Sequence, residues 1–302
     1  MQLIHTTPAI TITIAAVIAL CSCSGDTKDY DATGTFEATE VVVSAEQNGR
    51  LLHLDIEEGD RLEAGQQVGL IDTTQLYLKA RQVGTTRQAY AAQRPDRQKQ
   101  VAALRRQLAK AEDDYRRYRQ LVSDGAAGHK LMDDARSQVD VLRRQLDAQL
   151  STLGNSTNSL NAQMSSADTE RLIIADQLRK CHIAPPIGGT VLAKYMEGGE
   201  FATIGHPLFR IADTGRMYLR AYVTSAQLSK VRIGQAATVY ADYGGGQRKQ
   251  YTGRVTWISA KAEFTPKTIL TDDERADLVY AVKIAVKGDG GIKIGMYGEV
   301  KF

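Results

Sequence analysis

Apolar and polar residues alternate over two short stretches of this chain, and between them apolar residues recur at helical spacing. In Gly49-Arg50-Leu51-Leu52-His53-Leu54-Asp55-Ile56, Leu52, Leu54 and Ile56 stand against His53 and Asp55, the period-two pattern of a half-buried strand. A β-branched run precedes it from Phe36 to Ser44, with Val41, Val42 and Val43 in a row. Glu57-Glu58-Gly59-Asp60 and Glu63-Ala64-Gly65-Gln66 then read as turns, and Val68 to Ile71 as a further strand. The same grammar returns more than a hundred residues later. "NGRLLHLDIEEGDRLEAGQQVGLID" and "GGTVLAKYMEGGEFATIGHPLFRIAD" share the order glycine, strand, acidic glycine turn, short apolar step, glycine turn, strand, Asp. A duplication this close implies two halves of one small β sandwich.

Between the halves the period changes. Val101, Leu104, Leu108, Ala111, Tyr115, Tyr118 and Val122 follow one another in alternating steps of three and four, the seam of a coiled coil. Their surroundings, from Thr74 to Val122, are rich in helix formers and hold one proline, Pro95. Asp124 to Gly128 breaks the pattern. A second and more polar seam then runs through Leu142, Leu146, Gln149, Leu153, Ser156, Leu160, Gln163, Ala167 and Ile174 toward Leu178. A short break between long helices implies an antiparallel hairpin, here an arm of roughly 60–70 Å. The polar seam positions predict a weakened middle, with loosening or a kink at Gly154 to Ser159. Both ends of the arm return to one duplicated domain, which argues against a simple dimerising coiled coil.

After Met217 the chain reads as strand again, at Tyr218–Val223, Ala237–Tyr240, Tyr251–Ile258, Asp277–Lys287 and Tyr297–Phe302. Glycine turns separate these segments, so a small barrel is expected. Gly244-Gly245-Gly246 lacks the Lys-Ser/Thr and the βα setting of a phosphate loop.

The formal charge of +3 is spread along the chain, so no basic face for nucleic acid is expected. Ile10 to Leu20 is the one membrane-like run and is too short for a span, which needs about 20 residues. It has the shape of a secretory signal, although Met1 to Pro8 holds no Lys or Arg. It ends Leu20-Cys21-Ser22-Cys23-Ser24-Gly25, which resembles the lipobox of bacterial lipoproteins, with Cys23 as the acylated residue. A cleaved signal without lipid is the alternative. With Cys23 modified, Cys181 stands alone, without a disulfide partner or metal-binding cluster, and reads as a small semi-buried hydrophobe.

With its split β domain, inserted hairpin and following barrel, the chain resembles the periplasmic adaptor, or membrane fusion protein, family of bacterial efflux and secretion systems (HlyD-like). The likeness covers Phe36 to Phe302 and is most specific in the two half-motifs, Gly49–Asp72 and Ile183–Asp213. It implies an elongated, mostly β protein with an inserted coiled-coil hairpin, a split lipoyl-like (barrel-sandwich hybrid) domain and a β-barrel domain. Residues 1–22 would be a lipoprotein signal peptide and 23–35 a tether. Residues 36–73 and 181–213 would be the two lipoyl-like halves, 74–180 the hairpin and 214–302 the barrel. Phe264-Thr265-Pro266-Lys267 and Asp273 to Tyr280 resemble the barrel of adaptors paired with ABC-type exporters. Ile294 to Val300 resembles the family's closing barrel strand.

The resemblance also implies partners. An inner-membrane transporter would lie below, an outer-membrane channel of the TolC type above, and the adaptor copies would form a ring of six. Family members present an Arg, a Leu and a Ser around the hairpin turn to such a channel. Arg117 and Leu121 match the first two, and Gly128 stands at the place of the Ser. No cofactor is implied, because Asp72 opens into the hairpin where a true lipoyl domain presents its modified Lys. His5, His53, His129, His182 and His206 have no metal-ligand spacing, and no hydrolase or metalloprotease motif is present. Asp113, Asp114, Asp133 and Asp134 belong to solvated helical charge runs. The competing reading is a periplasmic or outer-membrane scaffold or binding lipoprotein with a dimerising arm.

Overall fold

A computed structural model describes residues 30–245, 247–264 and 278–302. The signal-like segment, Cys23, most of the expected tether and most of the ABC-exporter-like segment therefore lie outside the described residues.

The chain enters through β1 (Ala32–Ser44), a strand long enough to serve two bodies. β2 (Gly49–Leu54), β3 (Arg61–Leu62) and β4 (Gly69–Ile71) form the first half of a sandwich. β5 (His182–Ile183), β6 (Gly189–Lys194), β7 (Phe201–Ala202) and the start of β8 (Pro207–Thr224) form the second. The halves are interlaced rather than stacked: β3 pairs with β6, β7 with β2, and β5 with β4. Their shared core holds Leu51, Leu54, Ile56, Leu62, Val68 and Ile71 from the first half and Ile183, Val191, Met196, Leu208, Phe209 and Ile211 from the second.

In β2 the strict alternation expected from the sequence does not hold. The register slips between Leu51 and His53, so Leu51 turns inward and Leu52 stays exposed. Leu54 and Ile56 are buried as expected. A bulge inserts one residue, and every position on one side of it changes face.

The helical insert has three segments. α1 (Thr74–Ala92) and α2 (Arg97–Ser123) run outward, and α3 (His129–Lys180) returns in one uninterrupted piece. The outward limb breaks at Pro95, which has no amide hydrogen to donate. Asp96 restarts the helix by accepting from the amides of Gln98 and Lys99, both at 3.1 Å. At 1.5 Å per residue, the 52 residues of α3 make a rod of about 80 Å.

α2 keeps its expected seam, with Val101 and Ala111 buried and Leu104, Leu108, Tyr115, Tyr118 and Val122 half-buried. The α3 seam takes the other heptad phase. Gln149, Ser156 and Gln163 are exposed, and Leu150, Thr157 and Met164 are the half-buried positions between Leu146, Leu153, Leu160 and Ala167. Steps of three and four can be ordered either way, and packing selects the order that buries Leu and Met. The expected polar weakness in the seam shrinks to Thr157 with this choice, and Gly154 to Ser159 stay helical without a break. Three cross-limb ion pairs hold the register: Lys79–Glu170 at 3.4 Å, Arg87–Asp168 at 2.7 Å and Arg143–Glu112 at 2.9 Å. All three are solvent-exposed, so each contributes about 0–1 kcal/mol; alignment rather than strength is their contribution.

β8 continues without interruption into a second body. α4 (Ser225–Leu228) is a single turn, followed by β9 (Ala236–Asp242), β10 (Arg248–Ile258), β11 (Glu263–Phe264), β12 (Leu278–Lys287) and β13 (Tyr297–Lys301). The strands pair in the cycle β1-β8-β12-β10-β9-β13 and back to β1, a closed six-stranded barrel. Closure requires the first part of β1, because Ala32 to Thr35 pair with β13 and Thr33 to Ala38 with β8. Phe36, Met217, Leu219, Val239, Val255, Ile284 and Val300 fill the interior. Where β1 and β8 pass from barrel to sandwich, the partner of β1 jumps from Met217 to Ala212, leaving 213–216 as a bulge at the joint.

Candidate functional site

The end of the hairpin is built by its two helix caps. α2 terminates on Gly125, whose φ of +73° suits a residue without a Cβ. The amide of Ala126 donates to the carbonyl of Leu121 at 2.8 Å and that of Gly125 to Val122 at 3.0 Å, a Schellman closure. Gly128 caps the N-terminus of α3 at φ −77° and ψ 148°, with no side-chain acceptor to offer its first amides. This backbone conformation is open to any residue, and a Cβ there would meet nothing within 4 Å.

Arg117, Leu121 and Gly128 all lie at this far end. Arg117 is exposed and pairs with Asp114 at 3.5 Å, one turn back along the helix. Leu121 is 37% exposed in the last turn of α2, and Leu131, 50% exposed, occupies the first turn of α3. Leu131 falls outside the three-four seam that the sequence predicts. Its only signal was an apolar residue off that seam, next to a predicted turn. Two exposed leucines, an exposed Arg and bare amides at a helix start make a surface suited to docking on another protein. No proton-transfer or nucleophilic arrangement accompanies them.

The remaining chemistry-bearing residues have structural surroundings. Cys181 is buried in the sandwich core, where its Sγ donates to the Gln177 carbonyl at 3.3 Å. Burial pushes its thiol upward, and the nearby Asp72 carboxylate adds to the shift. Asp72 itself, where the sandwich hands over to α1, is held below its ordinary value by the hydroxyl and amide of Thr74, the amide donating at 2.9 Å. His53 pairs with Asp55 at 2.7 Å, and a ring nitrogen of His206 lies 3.1 Å from the carbonyl of Pro207. His129 and His182 are exposed. No group of three metal-ligating side chains occurs among the described residues, and no helix among them is long and apolar enough to cross a membrane.

One polar cluster lies on the barrel wall. Lys249 Nζ reaches Asp289 Oδ2 at 2.5 Å, the Tyr251 hydroxyl donates to the same oxygen at 3.0 Å, and Tyr243 and Tyr251 share a hydrogen bond of 2.7 Å. Hydrogen bonds from Lys249 and from the Gly291 amide hold the Asp289 carboxyl well below the usual range. Burial, followed by the bonds to Tyr243 and Asp289, pushes the Tyr251 phenol far up. The cluster pins the loop after β12 against β10.

A split sandwich carrying a two-limbed helical arm and continuing into a closed barrel is the architecture of a membrane-fusion adaptor. The model for "RND MFP, barrel-sandwich hybrid domain" matches residues 39–214, more than half of the chain, and the chain belongs to the membrane fusion protein, or periplasmic adaptor, family. Membership makes it an adaptor. The UPF0194 membrane protein YbhG of Salmonella gallinarum is 29% identical over 320 residues, 96% of each chain. Among solved structures, MacA from Actinobacillus actinomycetemcomitans superposes with a TM-score of 0.55 at 19% identity, covering 89% of this chain and 76% of that one. A MacA-MexA chimeric protein carrying the Pseudomonas aeruginosa MexA α-hairpin domain gives a TM-score of 0.50 at 20% identity, covering 89% of this chain and 79% of the chimera.

Proposed function

We propose that this chain is the adaptor subunit of a tripartite efflux or secretion system, bridging an inner-membrane transporter of the ABC type to an outer-membrane channel of the TolC type. In this reading Cys23 carries a lipid that tethers the barrel end to the inner membrane. The sandwich and barrel form a collar over the transporter, six copies stand side by side, and the Arg117/Leu121/Gly128 tips meet the channel. The observation that carries the reading is the geometry of the arm: an 80 Å class rod leaves one split domain and ends in exposed leucines and an exposed Arg. Single tip contacts can be weak, because several act together and each raises the effective concentration of the next. The resemblance of Asp273 to Tyr280 to barrels of ABC-exporter adaptors supports that choice of transporter.

The test is crosslinking of the full-length protein in its native envelope, followed by identification of the captured chains. An ABC transporter subunit together with an outer-membrane channel is the expected result. Capture of a proton-driven pump would replace the ABC assignment, and capture of neither class would overturn the bridge.

A further inference from the structure

The barrel has two ends, and one of them faces away from the sandwich and the arm. At that end β1, β9 and β12 begin and β8, β10 and β13 finish. The chain enters here and is fastened. The Asp31 amide donates to the Val300 carbonyl at 2.9 Å, Gln227 Nε2 donates to the Asp31 carbonyl at 2.5 Å, and the Phe302 amide donates to the Asp31 carboxylate at 2.8 Å. Three large apolar side chains are exposed at this end of the barrel. Ile233 is 68% exposed, Leu278 49% and Trp257 41%. Lys230, Arg232, Arg254 and Lys261 are exposed beside them, with Arg254 donating to the Gly234 carbonyl at 2.6 Å and so bracing the Ile233 loop. Of the acidic groups described at this end, Asp31 is bonded to the Phe302 amide and Glu263 to Arg220 at 2.7 Å.

We propose that this end of the barrel rests on the lipid bilayer itself, with Trp257, Ile233 and Leu278 in the headgroup layer and Lys230, Arg232 and Lys261 against lipid phosphates. The shortness of the chain between Cys23 and the barrel favours this occupant. From Cys23 to Asp31 the covalent chain reaches at most about 30 Å when fully extended. A lipid on Cys23 therefore confines the barrel end to the first few nanometres above the membrane, whether or not a transporter is present. Tryptophan suits that layer, being apolar in body and polar at its N–H, and lysine stems can lie along apolar surface while their ammonium groups reach phosphate. The inference rests on the tether at Cys23 in the proposed function.

Trp257 is the only tryptophan in the chain, so its fluorescence reports on this surface alone. The full-length acylated protein is reconstituted into vesicles of phosphatidylethanolamine with a minor share of phosphatidylglycerol. The expected result is a blue shift of the emission and quenching by lipids brominated near the headgroup. Most of the quenching should be lost in Ile233→Ser/Leu278→Ser, and in the separate Lys230→Glu/Arg232→Glu variant, with circular dichroism unchanged. Emission that stays water-like in vesicles and shifts only on addition of the solubilised transporter would overturn the inference and leave the adaptor reading intact. Mass spectrometry showing an unmodified Cys23 would remove the tether and the inference with it, while the family assignment stands.

Discussion

The amide of Gly59 donates to the carbonyl of Val191 at 2.9 Å, across 132 positions of sequence (191 − 59). The repeat partners of these two residues, Gly199 and Leu51, make the same bond in the opposite sense at 2.7 Å. The returning bonds are also present, from Val191 to Asp60 at 2.9 Å and from Leu51 to Glu200 at 2.8 Å. Each half of the sandwich thus closes its glycine turn on the first strand of the other half. The two turns have nearly the same shape, with φ of +98° at Gly59 and +99° at Gly199.

The positive φ at both turns favours glycine, which has no Cβ to strain the backbone there. Gly59→Ala and Gly199→Ala should each destabilise the protein by about 1–3 kcal/mol, the cost of forcing a side chain into that region of backbone space. Urea unfolding followed at the sandwich measures this. An effect of a few tenths at either position would mean that the turn relaxes freely.

The register of α3 gives a paired prediction. Leu150 is half-buried at the seam and Gln149 beside it is exposed. Leu150→Ala should lower stability by about 1–3 kcal/mol, less than a fully buried leucine loses, whereas Gln149→Ala should change it by less than about 0.5 kcal/mol. The reverse order would restore the heptad phase in which Gln149, Ser156 and Gln163 point inward.

At the arm's turn, Gly128→Ser should fold without strain, since the native φ is negative and the space is open. A serine cap is worth only a few tenths of a kcal/mol over glycine, so the melting temperature should barely move. Any change in capture of an outer-membrane channel by this variant then reports on docking at the turn rather than on folding.

Acid should loosen the loop after β12. Asp289 titrates below its unfolded value, so its contribution is present above the ordinary carboxylate range and is lost as pH falls through the lowered folded value. Lys249 is shifted upward, mainly by its bond to Asp289, and contributes below the ordinary lysine range until pH rises past the raised value. Hydrogen exchange at Gly291, whose amide donates to Asp289 at 2.9 Å, should accelerate at the acid end once intrinsic exchange is corrected for. Asp289→Asn should weaken that pH response.

Cys181 should be silent toward thiol reagents in the folded protein, because it is buried and its thiol is pushed upward. Labelling should accelerate with denaturant in step with unfolding of the sandwich. Rapid labelling under native conditions would place Cys181 at the surface.

Much of this architecture was legible because the relevant signals are local. The duplicated turn frame, the seam of α2 and the glycine break at Asp124 to Gly128 depend on residues within one or two turns of each other. Arg117, Leu121 and Gly128 could be placed at the end of the arm for the same reason, since a hairpin has only one turn.

Other features needed the three-dimensional partner. Leu51 replaces Leu52 in the core because a bulge opposite β4 shifts the face of the strand, and alternation within β2 cannot reveal a bulge made by pairing. Leu150, Thr157 and Met164 replace Gln149, Ser156 and Gln163 because two heptad phases fit one sequence until a second helix chooses between them. β1 closes the barrel because Ala32 to Ala38 meet β13 and β8, pairings that join the chain's beginning to its end. A duplicated β domain split by a helical arm is already written in the order of residues, since periodicity and turn chemistry are properties of neighbours. Tertiary structure decided which face each residue shows and which end of the barrel carries Trp257, Ile233 and Leu278, because those depend on contacts between segments far apart along the chain.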